Sequence, residues 1–277
     1  MSKSSFFGYF GLAVVCLCIF SGCQKNCPGR EYDTLRAFLS GPTKAHIDGE
    51  LTLWDNADLV SIFYKSPDNE KWTVSEISGK GEAVLVRPRT LRVMSRDCIM
   101  AIVPYDATAY STENQSITTS INTEQIWNEE GSSHCLLAAI SQSGDLHFRY
   151  CNSFVSLHLK GDATISSIEL ISNAEEPLSG PLSLFLPLDG DPQVSCTGQS
   201  KVLLNCNTSI DEDGKYFIFS TAPSYLPDGL TFRIKLTNGT VQTVKVTTPV
   251  NLLCGHILHF EGICKTGQSD ITIPDIN

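Results

Sequence analysis

The sequence predicts an all-β chain of the sandwich class, on three observations. Apolar residues recur with a period of two: Phe232, Ile234 and Leu236 alternate with Arg233 and Lys235, and Val155, Leu157 and Leu159 with Ser156, His158 and Lys160. Such alternation sends one face of a strand into a core and the other into water. Turn signals separate the alternating runs, among them Pro67-Asp68-Asn69, Gly161-Asp162, Asp189-Gly190-Asp191, Asp213-Gly214, Pro227-Asp228-Gly229 and Asn238-Gly239. No window carries a sustained helical stripe, and only Thr123 to Trp127 is expected to make a turn or two of helix. Short, evenly punctuated strands of this kind indicate β-sandwiches.

Taken in order, residues 1–22 read as a secretory signal: Lys3 precedes an uncharged apolar run from Phe6 to Phe20, followed by Ser21, Gly22 and Cys23. The run falls short of the roughly 20 residues a spanning helix needs. Small residues before a cysteine resemble a bacterial lipobox, with Phe20 where leucine is usual. Cleavage between Gly22 and Cys23 with lipidation of the Cys23 thiol is expected, ordinary cleavage or a retained anchor being the alternatives. The first candidate strand is Tyr32 to Leu39, and apolar runs follow at 59–64, 83–86 and 99–103. Polar residues thicken from Ser111 to Ser133 before strands resume near Cys135–Ile140 and Leu146–Tyr150. A fresh series begins at Phe154 and continues at 165–171, 202–204, 216–219, 241–246 and 256–260. Asn238-Gly239 marks a tight hairpin. These shifts place one domain over 23–150, a second over 151–265 and a tail over 266–277, both domains of ordinary size.

Loss of residues 1–22 removes Lys3 and no acidic residue, leaving 19 basic against 30 acidic residues and a net charge of −11. The basic residues form no run, so nucleic acid is excluded as an expected partner. Eight cysteines follow Cys23. Outside the cytoplasm an even number invites disulfides, the local pairs Cys196 with Cys206 and Cys254 with Cys264 being the ones to test; buried apolar thiols are the other reading. No zinc-binding spacing is present. His256 and His259 lie in a strand-like run where positions three apart face opposite sides, so no metal site or cofactor is expected. Asp211-Glu212-Asp213-Gly214 and Asp189-Gly190-Asp191 read as solvated turns, since the remaining ligands of a calcium loop are missing. No nucleophile elbow, zinc-protease motif or phosphate loop occurs, so no catalytic residue is assigned and the chain is read as non-enzymatic. Trp54, Trp72 and Trp127 either fill cores or stack on a sugar ring.

Several segments resemble the fimbrillin-like lipoproteins of Bacteroidota when taken together and in order. They are Thr43-Lys44-Ala45 with Trp54 to Phe63, Ala101-Ile102-Val103-Pro104-Tyr105, Thr123-Glu124-Gln125, Phe148 to Lys160, Ile165 to Gly180 and Tyr216 to Gly229. The resemblance covers roughly residues 43–260 and implies two tandem β-sandwich domains of transthyretin-like fimbrillin type. It also implies an exported lipoprotein used as a pilus subunit, an adhesin or an anchor. In polymerising members an arginine-specific protease cuts after the first strand, and the vacated groove accepts a strand from the next subunit. Here the loop at 40–50 holds Lys44 and no arginine, while Arg30 precedes the strand and Arg36 lies inside it. Arg36 and Lys44 are therefore the candidate maturation sites, and their poor placement favours an uncut accessory subunit, anchor or solitary adhesin. The tail from Asp270 to Ile276 either donates a strand or is a loose end.

The expected role is thus a lipid-anchored outer-membrane surface protein acting in fimbrial assembly or cell adhesion. Its partners would be the membrane, through the lipid, and other fimbrial subunits by donor-strand addition. The alternative is a surface glycan-binding lipoprotein of a polysaccharide uptake system, which would require an exposed aromatic platform.

Overall fold

The computed structural model describes residues 30–39, 54–56, 58–64, 69–78, 81–93, 97–112, 115–129 and 135–266. These residues are all-β, as the alternation predicts, and contain no helix. The first strands are β1 (Arg30–Leu39), β2 (Leu59–Phe63), β3 (Glu70–Ile77), β4 (Glu82–Val93) and β5 (Ile99–Val103). Next come the short β6 (Tyr110–Thr112), β7 (Ser116–Ile121) and β8 (Glu124–Ile126), then β9 (Leu137–Ser141) and β10 (Asp145–Tyr150). After residue 150 follow β11 (Ser153–Gly161), β12 (Thr164–Ser172), β13 (Gly180–Phe185), β14 (Gln193–Cys196), β15 (Lys201–Ser209) and β16 (Lys215–Thr221). The last are β17 (Ser224–Leu226), β18 (Leu230–Leu236), β19 (Val241–Val246), β20 (Val250–Leu252) and β21 (Ile257–Cys264).

Seven strands close into a barrel in the order β1, β10, β9, β5, β2, β3, β4. Its interior follows from the period of two, because every strand contributes two residues spaced i and i+2. These are Leu35 and Ala37, Val60 and Ile62, Trp72 and Val74, Ala83 and Leu85, Ile99 and Ala101, Leu137 and Ala139, and Leu146 and Phe148. The segment Ile99–Val103 shows no polar alternation because both its faces are covered. Met100 and Ile102 point away from the barrel and join Phe63, Leu136 and Ala138 in a second core. The four-stranded sheet β14, β13, β7, β6 caps that core with Ile117, Ile121, Leu182 and Leu184.

A third core lies between two further sheets. The sheet β16, β11, β21 supplies Val155, Leu157, Leu159, Phe217, Phe219 and Phe260; the sheet β19, β18, β12, β15, β8 supplies Ile168, Leu170, Val202, Leu204, Phe232 and Ile234. This is a two-sheet sandwich, and each fully buried aliphatic or aromatic side chain in it contributes about 1.5–3 kcal/mol. The Asn238-Gly239 turn joins β18 to β19 as expected, with a loop one residue longer than the tightest form. Gly239 takes φ 88° and donates its N–H to Leu236 O at 3.0 Å, while Leu236 N–H donates to Thr240 O at 2.8 Å. A glycine tolerates that conformation without strain.

Strands from either side of residue 150 share sheets: β7 pairs with β13, and β8 runs parallel to β15 with Glu124 opposite Leu203. The helical turn expected near Thr123 to Trp127 is therefore not formed, since pairing with β15 overrides a weak local preference. Extension there serves a buried polar seam. Gln125 Nε2 donates to Ser220 O (2.8 Å) and Asn122 O (3.1 Å), and Ser220 N–H donates to Gln125 Oε1 (3.0 Å). Asn152 continues the seam by donating to Ser220 Oγ (2.7 Å) and accepting from Leu136 N–H (3.0 Å). Gln125, Asn152 and Ser220 are 1%, 0% and 1% exposed, so the groups they share have little water to turn to. Replacing Gln125 by Ala is expected to cost about 2–3 kcal/mol in urea unfolding, because it strands the N–H and C=O of buried Ser220.

Candidate functional site

The feature with functional consequence is the seat of β1. On one side β1 pairs antiparallel with β4, from Arg30 opposite Val93 to Phe38 opposite Glu82; on the other, Arg36–Leu39 pairs in parallel with Asp145–Phe148 of β10. Leu35 (1% exposed) and Ala37 (0%) enter the barrel interior, while Asp33, Thr34 and Arg36 face outward. Tyr32 lies across Gly144, where a Cβ would come within 2.6 Å of Tyr32 Cε1. Gly144 also has φ 93° and accepts from Arg36 N–H at 3.2 Å, so a side chain there would be excluded on two counts. β1 is thus a strand held between two others in a slot shaped for it, the geometry through which strand exchange between subunits operates.

Arg36 is fixed on the outer face. Its Nε and Nη2 bond both carboxylate oxygens of Asp145 at 2.8 and 2.7 Å, its guanidinium lies 5.7 Å from the Phe38 ring, and Phe38 stacks on His147 at 4.8 Å. Its backbone is paired on both sides, with Val84 and Asp145 as register partners. A protease that binds its substrate as an extended strand finds no free edge at this residue. Sequence reasoning places Arg36 inside the strand but misses Phe38, Gly144, Asp145 and His147 as its setting. Gly22, Cys23, Lys44 and the tail from Asp270 to Ile276 lie outside the described residues.

Every cysteine among the described residues is a free thiol in this structure, Cys151 included. Cys196, Cys206, Cys254 and Cys264 are free thiols, and neither local pair is joined. Cys196 ends β14 in the four-stranded sheet and Cys206 lies on β15 in another, each bonded to a main-chain carbonyl, those of Ser179 and Leu204. Cys254 precedes β21 and Cys264 ends it, so an extended strand of eight residues, roughly 25 Å long, holds them apart. Burial pushes the Cys206 thiol up to about 12, and burial followed by the Asp162 charge pushes Cys264 up to about 11. Neither is a ready nucleophile.

Trp54 and Trp72 are buried in the barrel core, where Trp54 meets Phe148 edge-on at 5.3 Å and donates to Gly81 O at 3.1 Å. Trp127 is half-buried against Phe217 and donates to Tyr216 O at 2.8 Å. The tryptophans therefore pack rather than form an open stacking platform. A cleft of about 510 Å³ near the polar seam is lined by Asp106, Thr108, Thr119, Asn122, Leu136 and Ser220. Asp106 accepts from Thr108 N–H and Oγ1 (2.8 and 2.6 Å) and from Thr119 Oγ1 (2.8 Å). Burial works to raise its pKa, but these hydrogen bonds outweigh it and hold the carboxyl below its usual 3.8. That suits a fixed anion closing a turn, not a proton donor. Asp211 likewise closes its turn by accepting from Gly214 N–H at 3.0 Å, and Asp191 pairs with Arg149 at 3.3 Å. Among the described residues no group of three or more His, Cys, Asp or Glu is placed to hold a metal ion, and His256 and His259 are both exposed.

Two outcomes are expected. The Arg36–Asp145 pair is largely in water, so Arg36→Ala should change stability by no more than about 1 kcal/mol in urea unfolding, and an arginine-specific protease should leave Arg36 intact in the folded chain. Because the folded pKa of Asp106 is depressed, its stabilising contribution is complete above the unfolded value of 3.8 and is lost as pH falls below it. Asp106→Asn should therefore flatten the acid limb of stability against pH, measured by thermal unfolding, and leave the alkaline limb unchanged.

No protein-family model matches the chain, and no curated protein matches its sequence. Solved structures do match. A candidate cell adhesion protein from Bacteroides uniformis ATCC 8492 aligns with a TM-score of 0.51 at 12% identity, over 88% of this chain and 99% of that one. A second, from Bacteroides ovatus ATCC 8483, aligns with a TM-score of 0.52 at 14% identity, over 81% and 88%. At these identities the likeness is one of architecture. The chain has the fold of these Bacteroides cell adhesion proteins, which is the fold its resemblance to fimbrillin-like lipoproteins implies.

Proposed function

We propose that the chain is a lipid-anchored, non-enzymatic surface protein of fimbrillin type, acting in cell adhesion as an accessory or anchor subunit or as an adhesin. The observation that carries this reading is the architecture shared with the Bacteroides uniformis adhesion protein along nearly the whole of both chains. The seat of β1 supports an uncut role. The strand is built into the barrel, paired on both sides over Arg36–Phe38; Arg36 is locked in the ladder, Arg30 begins the strand opposite Val93, and residues 40–50 contain no arginine. The signal ending in Gly22-Cys23 supports attachment to the outer membrane through acylated Cys23. Other fimbrial subunits would be met by strand addition at a sheet edge, where main-chain hydrogen bonds supply affinity and alternate side chains supply register.

The test is made on the native cell envelope, by mild extraction, a denaturing gel run unboiled and boiled, and mass spectrometry of the N-terminus. A single species beginning at acylated Cys23 is expected. A high-mass ladder that collapses on boiling, with a start beyond residue 36 and no lipid, would overturn the uncut reading and make the chain a polymerising pilin.

A further inference from the structure

We propose that Cys151 and Cys254 form a disulfide when the chain meets an oxidising compartment, tying the junction after β10 to the turn that opens β21. Spacing in the sequence hides this pair, since about a hundred residues separate its members. Topology brings them together. β11 and β21 run parallel from Phe154 opposite Ile257, and Phe154 N–H donates to His256 O at 3.0 Å. Just before this ladder the Leu253–His256 turn, closed by His256 N–H donating to Leu253 O at 3.1 Å, meets the chain entering β11: Gly255 N–H donates to Asn152 O at 2.9 Å. Cys254 and Cys151 each stand one residue ahead of that contact, and a disulfide asks for roughly 4.4–6.8 Å between their Cα atoms.

The turn is seated against the end of β10, since a Cβ on Gly255 would lie 3.2 Å from Tyr150 Cβ. The residue after Cys254 therefore touches the residue before Cys151, whose thiol donates to Arg149 O at 3.7 Å. Cys151 is buried and its N–H is held by Leu136 O at 2.8 Å, whereas Cys254 is half-buried and reachable.

The chemistry balances with a disulfide oxidant, small or enzymatic. The Cys254 thiolate attacks the oxidant's disulfide and expels one of its thiols. The Cys151 sulfur then attacks the mixed disulfide at Cys254, closing the intramolecular S–S bond and expelling the second thiol. Two electrons and two protons leave the cysteine pair, and the oxidant departs as two thiols. Burial and then Asp191 push the Cys254 thiol up to about 11, and burial raises that of Cys151, so exchange in the folded chain should quicken as pH rises. The exported location supplies the oxidant in the cell; oxidation of the purified chain tests the geometry independently of it.

The full chain is oxidised with glutathione disulfide at mildly alkaline pH, both folded and while refolding from denaturant. It is then alkylated under denaturing conditions and digested without reduction. A peptide joining Cys151 to Cys254 is expected in both samples, with a thermal midpoint that reductant lowers by about 10 °C. In Cys254→Ser the midpoint should no longer respond to reductant. Refolding that yields both thiols alkylated, or Cys254 joined to any other cysteine, would overturn the proposal.

Discussion

The structure depends on a single strand having two neighbours of opposite direction. β4 offers β1 an antiparallel edge along most of its length, and β10 offers a parallel edge to its last four residues. Neither edge is satisfied without β1, and each would otherwise present a row of unpaired main-chain groups. Closure also settles the interior. Leu35 and Ala37 complete a ring to which the six other strands each bring two residues, so withdrawing β1 would open the barrel wall and vacate part of its filling. The outer face of β1 carries Asp33, Thr34 and Arg36, and the exposed Arg36–Asp145 pair adds little to stability. The strand is held by its backbone and by Leu35 and Ala37, with Tyr32 and Leu39 packed against the same core, the means by which one strand can stand in for another.

The rest of the molecule is fastened to this barrel by sheets that mix strands from before and after residue 150. Pairing of β7 with β13 and of β8 with β15 gives the segment following β5 its partners in the second half of the chain. The buried amides of Gln125 and Asn152 meet at Ser220, where full satisfaction by hydrogen bonds makes the junction specific as well as stable.

Much of the fold was legible because alternation survives wherever one strand face is wet. Phe232 to Leu236 and Tyr32 to Leu39 are strands where the pattern places them, and so is Val155 to Leu159, although its alternating Ser156 (1% exposed) and His158 (8%) are buried rather than wet. It failed where polar residues hold buried positions. Ser116–Ile121 turns Ile117 and Ile121 inward with Thr119 between them, and that 6%-exposed threonine, donating to Asp106, disguises a strand as a polar stretch. Glu124–Ile126 is too short to carry a period and is extended only because β15 lies beside it. The cysteines show the same limit: spacing of ten residues suggests local pairs, whereas Cys254 and Cys264 lie at opposite ends of the extended β21. At the candidate site, Arg36 could be placed in a strand from sequence, but its partner Asp145 comes from a crossover 109 residues away that no local pattern reveals.

The central claim, that β1 closes the barrel as an integral strand, is tested most directly by amide hydrogen exchange followed by mass spectrometry on the full chain. The account predicts that residues 34–38 exchange as slowly as Ala83–Val86 of β4 and Asp145–Phe148 of β10, all three opening together in one cooperative event. Rapid exchange confined to β1, with β4 and β10 still protected, would contradict it and show that the barrel stands without the strand.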